Sequence, residues 1–180
     1  MERSKYIFKC GDMNIKLNNH YTYLGLILNE FLDFNLTAKI VAKSANRALG
    51  LVMTKCKTIG GVSYDVYKKL FDSLVSPIIE YGAAIWSYTS YSCINAIQLW
   101  ACRFFLGVGR YTPNAAVMGD MSWTPIYHTQ WKIISSQWCK LVNMGKNRTN
   151  RKIFAWADEV NLKSKALKIG TMSLENILLI

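Results

Sequence analysis

Asn35-Leu-Thr-Ala-Lys-Ile-Val-Ala-Lys-Ser-Ala-Asn-Arg-Ala-Leu-Gly-Leu-Val-Met-Thr-Lys-Cys-Lys57 is the stretch that decides how this chain folds. Lys39, Lys43 and Arg47 recur at i, i+4 and i+8, which is one stripe of an α-helix. Val41, Ala45, Ala48 and Val52 fall on the opposite side, a small-residue apolar face suited to docking on a core. No Asp or Glu occurs between Asp33 and Asp65, so no acidic neighbour in sequence neutralises the stripe. Aligned cations of this kind suit the row of phosphates along a nucleic-acid backbone. They equally suit a solvated helix surface whose acidic partners come from elsewhere in the fold. The two readings part on one point: whether the cations stand exposed and unmatched.

Composition favours a polyanion as the partner. The chain has 180 residues, 51% of them hydrophobic and 18% charged, the balance of one folded domain, or one domain with an appendage, with room for a real core. Its formal net charge of +11 and pI near 9.5 point to nucleic acid or an anionic membrane surface. The basic residues are spread along the chain, which excludes a disordered basic tail. A membrane span is not expected: the most apolar window, Leu70 to Trp86, carries Asp72, Glu80 and two serines and follows a helical period. Met1-Glu2-Arg3-Ser4-Lys5 leads into a strand-like run and not into the apolar segment of a signal peptide. Cys10, Cys56, Cys93, Cys102 and Cys139 are odd in number and scattered, and only His20 and His128 could join them. That spacing makes neither a disulfide scaffold nor a zinc cage, so reduced thiols in an intracellular protein, of nucleus or cytoplasm, are expected.

Outward from the helix, the N-terminal side reads as β-structure. Lys5 to Lys9 and Asn14 to Leu17 flank Gly11-Asp12 as a hairpin, and Tyr21 to Leu28 reads as a third strand of a small antiparallel sheet. Gly25 inside that strand marks a bulge or a close backbone approach. The C-terminal side reads as helices. Gly60-Gly61 ends the first, and Ser63 is placed to cap the second, where Tyr67, Leu70, Phe71 and Leu74 make a buried stripe. Pro77 should kink that helix, leaving Ile78 to Trp86 as a shorter one. Ser90 or Ser92 can cap a helix carrying Ile94, Ile97, Ala101, Phe104 and Phe105, stopped by Gly107 and Gly109. Thr112-Pro113 and Thr124-Pro125 each offer a capping hydroxyl followed by proline at the first helical position. The first opens a short helix ended by Gly119. The second opens a long one with Tyr127, Trp131, Ile134, Trp138, Leu141 and Val142 as its buried seam. Lys146, Arg148, Arg151 and Lys152 then form a basic linker, within the acid-free span from Asp120 to Asp158, before a last helix over Lys152 to Val160.

The chemistry-bearing motifs are mostly missing. Nucleotidyl transfer requires paired carboxylates around magnesium ions, but the adjacent Asp158 and Glu159 lie in a helix, where consecutive residues point apart. The sequence has no Gly-rich phosphate loop, zincin motif or nucleophile elbow. No catalytic residue and no metal ligand is assigned. Tyr21, Tyr23, Tyr88 and Tyr91, near element ends, are placed where stacking on a base or sugar is possible.

Several strings, in order, carry a resemblance. Tyr21-Thr22-Tyr23-Leu24-Gly25-Leu26-Ile27-Leu28 precedes a basic helix ending in Arg47-Ala48-Leu49-Gly50. Tyr67-Lys68-Lys69-Leu70-Phe71 and Pro77-Ile78-Ile79-Glu80-Tyr81-Gly82-Ala83-Ala84-Ile85-Trp86 follow. Phe105-Leu106-Gly107-Val108-Gly109-Arg110-Tyr111-Thr112-Pro113-Asn114-Ala115-Ala116 and Gly119-Asp120-Met121-Ser122-Trp123-Thr124-Pro125 complete the series. Together they resemble the region just after the palm in non-LTR (LINE-type) retrotransposon reverse transcriptases, through about residue 145. The resemblance implies that Tyr23, Leu24 and Gly25 act as a primer grip and that the following helices form a thumb. In such a thumb Lys39, Lys43 and Arg47 contact template–primer phosphates. The family's paired aspartates lie upstream of the primer grip, and this chain begins after them. The resemblance therefore implies a piece of an RNA-directed DNA polymerase that does not polymerise alone, with magnesium needed only alongside the missing palm and fingers.

The expected fold is mainly α (α+β): a β-hairpin segment over 1–34, a thumb-like helical bundle over 35–146, and a basic linker with C-terminal helices, cut short, over 147–180. The expected partner is an RNA–DNA hybrid or duplex, bound through backbone phosphates, with Lys146, Arg148, Arg151 and Lys152 contributing. The alternative is a helical protein-interaction domain derived from such an element. A primer-grip hairpin parted from its palm would leave an edge and an apolar face uncovered.

Overall fold

The computed structural model describes residues 9–14, 18–29 and 31–163. Within them the fold is mainly helical, with two small antiparallel hairpins at the N-terminal end. In the first, β1 (Lys9–Cys10) pairs with β2 (Met13–Asn14) around Gly11, whose φ of +60° supplies the turn. The rest of the two expected strands, residues 5–8 and 15–17, lies outside the described residues.

The expected third strand is itself a hairpin. β3 (His20–Tyr23) and β4 (Leu26–Asn29) pair antiparallel, with Tyr23 opposite Leu26. Leu24 and Gly25 between them have φ of +47° and +82°. Positive φ at both central residues is a type I′ turn, whose twist matches that of the strands it joins. Gly25 therefore marks neither a bulge nor a close approach. The nearest atom to a Cβ there would be Tyr81 Cε1 at 3.9 Å, an ordinary contact. An aromatic run with one glycine at its centre resembles a strand until that glycine is read as the turn.

α1 (Asn35–Thr58) runs as expected and buries Thr37, Ala38, Val41, Ala42, Ala45, Leu49, Val52 and Cys56. Beyond Gly60-Gly61, α2 (Tyr64–Leu70) passes into a π-helical turn, Phe71–Val75, and then into α3 (Ser76–Glu80). Pro77 accounts for the wide turn, because its ring clashes with the carbonyl four residues back and it has no N–H to return. The buried seam consequently steps by four residues, through Tyr67, Phe71, Val75 and Ile79. Leu74, expected inside, is 50% exposed. The helix expected from Ile78 to Trp86 breaks at Gly82, φ +62°, and resumes as α4 (Ala83–Trp86).

α5 (Ser92–Leu106) buries Ile94, Ile97, Gln98, Ala101 and Cys102 and stops at Gly107, φ +67°. α6 (Asn114–Met121) continues through Gly119, and Ser122 at φ +50° ends it. α7 (Ile126–Asn143) and α8 (Thr149–Lys163) follow. Helix starts depart from expectation in one consistent way. Ser63 occupies the cap position of α2 without a side-chain bond, Tyr91 and not a serine precedes α5, and Pro113 stands before α6 and not inside it. In each case a backbone carbonyl at the cap, such as that of Ser63 or Pro113, accepts the first helical N–H. The start of α7 has a tertiary cap beside its own Pro125 carbonyl, which accepts from the His128 N–H at 3.0 Å. The buried Gln98 side chain accepts from the Ile126 N–H at 3.1 Å and donates to the Thr124 carbonyl at 2.8 Å. Along α7 the buried residues are Ile126 and Gln130, whereas Tyr127 and Trp138 are exposed, so the expected seam is only partly covered.

Two compact units result, Met1–Ile134 and Ser135–Ile180, so the hairpins belong to the same unit as the helices through α6. The expected boundaries at 34 and 146 do not coincide with this division. The core of the first unit joins the apolar face of α1 to Tyr67, Phe71, Phe104, Phe105 and Trp123. The Tyr67 ring stacks on Phe105 at 5.0 Å, and its hydroxyl donates to the Ala101 carbonyl at 2.9 Å. Burial pushes the Tyr67 hydroxyl well above its ordinary pKa and the Cys102 thiol up to about 11. All five cysteines are free, with Cys56 and Cys102 in the core.

The second hairpin and the turn after it are held against the rest of the unit at four points. Tyr81 Oη donates to the Leu24 carbonyl at 2.8 Å, and Thr37 Oγ1 to the Ile27 carbonyl at 2.9 Å. Tyr88 Oη donates to the Leu32 carbonyl at 3.0 Å, and the Leu26 side chain fills the space above Gly82. A Cβ at Gly82 would lie 2.8 Å from Leu26 Cδ1, whereas one at Gly107, with nearly the same φ, meets nothing within 4 Å. Gly107→Ala is therefore expected to lose about 1–2 kcal/mol from left-handed strain alone. Gly82→Ala should lose more, by roughly 1 kcal/mol or above, through overpacking. Denaturant titration of both variants measures the difference, and equal losses would mean that Leu26 is not held there.

Candidate nucleic-acid interface

The position of α1 follows from its inner face. Ala38 and Ala45 are fully buried and Ala42 nearly so, which lets the helix axis approach its neighbours closely. Lys39, Lys43 and Arg47, on the opposite side, are exposed. Arg47 Nη2 donates to Ser44 Oγ at 3.1 Å. Among the described residues no carboxylate lies within ion-pair distance of any of the three; Lys68 and Asp72 form such a pair elsewhere, at 2.7 Å. Like charges at i and i+4 cost a helix about 0.2–0.5 kcal/mol per pair. The stripe thus opposes the stability of the helix that carries it.

A second acid-free stretch faces α1. No Asp or Glu occurs between Glu80 and Asp120, which covers α4, α5 and the loop after α5. Arg103 ties that loop down, Nη2 donating to the Thr112 carbonyl at 2.9 Å and to Asn114 Oδ1 at 2.6 Å. Arg110, in the loop, is exposed, with its guanidinium 5.4 Å from the Tyr111 ring centroid. Between α1 and α5 lies a shallow cleft of about 280 Å³ lined by Asn46, Trp100, Arg103 and Arg110 among others. Trp100 is 57% exposed. These residues escaped the sequence reading, although Trp100 stands off the stripe of Ile97 and Ala101, which was the available signal.

The remaining expected site residues lie on other elements. Tyr23 and Leu24 are exposed at 57% and 72% at the tip of the second hairpin, beside Gly25, and the tip is fixed to Tyr81. Tyr21 is exposed on the same strand. Tyr88 and Tyr91 serve the fold instead: Tyr88 holds Leu32 and meets Phe34 edge-on, and Tyr91 Oη donates to the Trp86 carbonyl at 3.2 Å. Lys146 and Arg148 lie in the turn before α8, in the second unit. Arg151 and Lys152, expected in a linker and at a helix start, both sit in the first turn of α8, which begins at Thr149. Arg151 is half-buried with its guanidinium 5.5 Å from the Phe154 ring centroid. Cations in a first turn oppose the helix dipole, so this placement too is unfavourable to the helix.

Acidic groups gather on another side of the first unit. Asp72 and Glu80 border a cavity of about 270 Å³ with Lys68, Gln98 and Trp123. Burial, with Asp72 adding to it, raises the Glu80 carboxyl above its ordinary range, while Asp72 is matched by Lys68. With one carboxyl part-buried and the other already paired with Lys68, they are not an open pair of carboxylates. Among the described residues, no three His, Cys, Asp or Glu side chains gather as a metal site, and no helix is long and apolar enough to cross a membrane.

Comparison of the chain with protein-family models, with curated proteins and with solved structures finds no match.

If the stripe contributes nothing to folding, removing it must not cost stability. The triple variant Lys39→Gln, Lys43→Gln, Arg47→Gln is expected to melt at the same temperature as the parent or slightly higher. Relief of two like-charge pairs is worth about 0.4–1 kcal/mol in total. A drop of several degrees in a thermal melt would instead make these cations part of the fold.

Proposed function

We propose that this chain binds double-stranded nucleic acid, an RNA–DNA hybrid or duplex, through backbone phosphates along α1. In this reading it is a thumb-like portion of a non-LTR retrotransposon reverse transcriptase and does not catalyse by itself. The observation that carries the proposal is the exposure of Lys39, Lys43 and Arg47 without a matching carboxylate among the described residues. Successive cations stand about 6 Å apart along the helix, roughly two axial steps of a nucleic-acid strand at about 3.4 Å each. Lys55 and Lys57 extend the positive charge to the last turn of α1, where it also suits the helix dipole. The hairpin tip at Tyr23, Leu24 and Gly25 supports the resemblance as a rigidly seated primer-grip element. Lys146, Arg148, Arg151 and Lys152 form a second basic segment, in the other unit, that suits backbone phosphates in its own right.

One observation favours another reading. Tyr21, Tyr23, Leu24, Phe31 and Leu32, all from the second hairpin and the turn after it, are exposed. A protein-interaction domain would use such a surface, and a thumb would turn it toward its palm.

Salt separates the two. Three phosphate contacts predict a slope of about −2.7 in log affinity against log salt, a loss of roughly 40-fold between about 50 and 200 mM. Fluorescence anisotropy with a labelled hybrid duplex measures this, and Lys43→Gln alone should flatten the slope by about 1. Duplex binding indifferent to salt, or absent at low salt, would defeat the proposal.

A further inference from the structure

The cleft between α1 and α5 differs from the stripe beside it. A phosphate rail needs only cations, yet this cleft is apolar within and cationic at its rim. Trp100 presents a large aromatic surface to solvent from the middle of α5, a position where Ile97 and Ala101 turn inward. Asn46 faces it from α1. Asn46 follows Lys43 by three residues and Lys39 by seven, so it lies on the same face of the helix as the stripe. On the other side stand Arg103, anchored by Thr112 and Asn114, and the exposed Arg110. The nearest acids in sequence to this rim are Asp33, Asp65, Glu80 and Asp120, none of which lines the cleft.

We propose that this cleft takes an unpaired nucleobase, stacked on Trp100, from a single strand continuing out of the duplex held along α1. The inference rests on the duplex-binding reading and adds a site for the strand beyond it. Each part has its own chemistry. The indole face supplies stacking that is indifferent to base identity. The Asn46 amide can both donate to and accept from a base edge. The exposed Arg110 is placed for the phosphate attached to that base, and Arg103, held by Thr112 and Asn114, adds positive charge beside it. Charge selects the occupant, since an apolar slot rimmed by two arginines suits an aromatic group carrying a phosphate better than an apolar peptide side chain.

The test compares a blunt hybrid duplex with the same duplex extended by a short single-stranded overhang, using the full chain and anisotropy at fixed salt. The parent is expected to bind the extended duplex about tenfold more tightly, the order that one base stacked on an aromatic ring supplies. Trp100→Ala should abolish that preference and leave blunt-duplex affinity unchanged, whereas Trp100→Phe should retain part of it. Because Trp100 is more than half exposed, both variants should keep the parent's circular dichroism and melting temperature. Should Trp100→Ala fail to fold, Arg110→Ala, at an exposed loop position, must reduce the same preference. Equal affinity of the parent for the two duplexes, or a preference that survives Trp100→Ala in a folded protein, would overturn the base site and leave the phosphate reading standing. Binding to neither duplex would remove both.

Discussion

Close packing of one helix by its smallest residues governs the first unit. Ala38, Ala42 and Ala45 leave almost no side chain between α1 and the elements beneath it. Leu49, Val52 and Cys56 continue the buried face further along. That approach fixes the rotation of the helix, and rotation decides which residues face water. Lys39, Lys43 and Arg47 point outward because the alanines point inward. The same rotation places Asn46 opposite Trp100 and sets Thr37 where its hydroxyl meets the Ile27 carbonyl. One packing choice therefore orients the cationic stripe, one wall of the cleft and the seat of the second hairpin.

Folding alone gives no reason for the charges so displayed. Three cations at i and i+4 intervals repel one another, and the fold places no described carboxylate to compensate them. Two of its acids, Asp72 and Glu80, line a cavity away from the stripe: Asp72 is matched with Lys68, and burial raises the Glu80 carboxyl above its ordinary range. Sorting charge in this way costs stability and generates a field, and a field is useful for attracting a polyanion. The first turn of α8 shows the same pattern, with Arg151 and Lys152 set against the helix dipole.

The sequence was legible wherever a period or a stop was local. The bounds of α1, its inner and outer faces, and the stop of α5 at Gly107 all follow from spacing within one segment. Exposure of Lys39, Lys43 and Arg47 follows from the same wheel. Legibility ended where a tertiary partner decides the outcome. Gln98 caps α7 from another helix, which no local hydroxyl rule anticipates. Leu74 leaves the buried seam because Pro77, downstream, widens the turn before it. Tyr21 to Leu28 has strand composition throughout, and only positive φ at both Leu24 and Gly25 makes two strands of it. Leucine rarely takes that conformation, so composition pointed elsewhere. Trp100 escaped because a tryptophan in an apolar helix reads as core, whereas its offset from Ile97 and Ala101 places it outside.

The same tertiary ties give the cleft its rigidity. α5 is held on its inner side by Ile94, Ile97, Ala101 and Cys102, and Gln98 fastens the start of α7 to it. Gly107 turns the chain sharply, and Arg103 then reaches across to Thr112 and Asn114, closing the loop that carries Arg110. An arginine spent on two loop acceptors loses freedom it would keep on an open surface, and the loop loses freedom with it. Trp100 and the loop bearing Arg110 are thus fixed to one rigid helix, and Asn46 to another packed against it. A groove whose walls are set before a ligand arrives avoids most of the ordering cost of binding. This arrangement lets a few exposed groups on a small domain act together as one surface and not as separate charges.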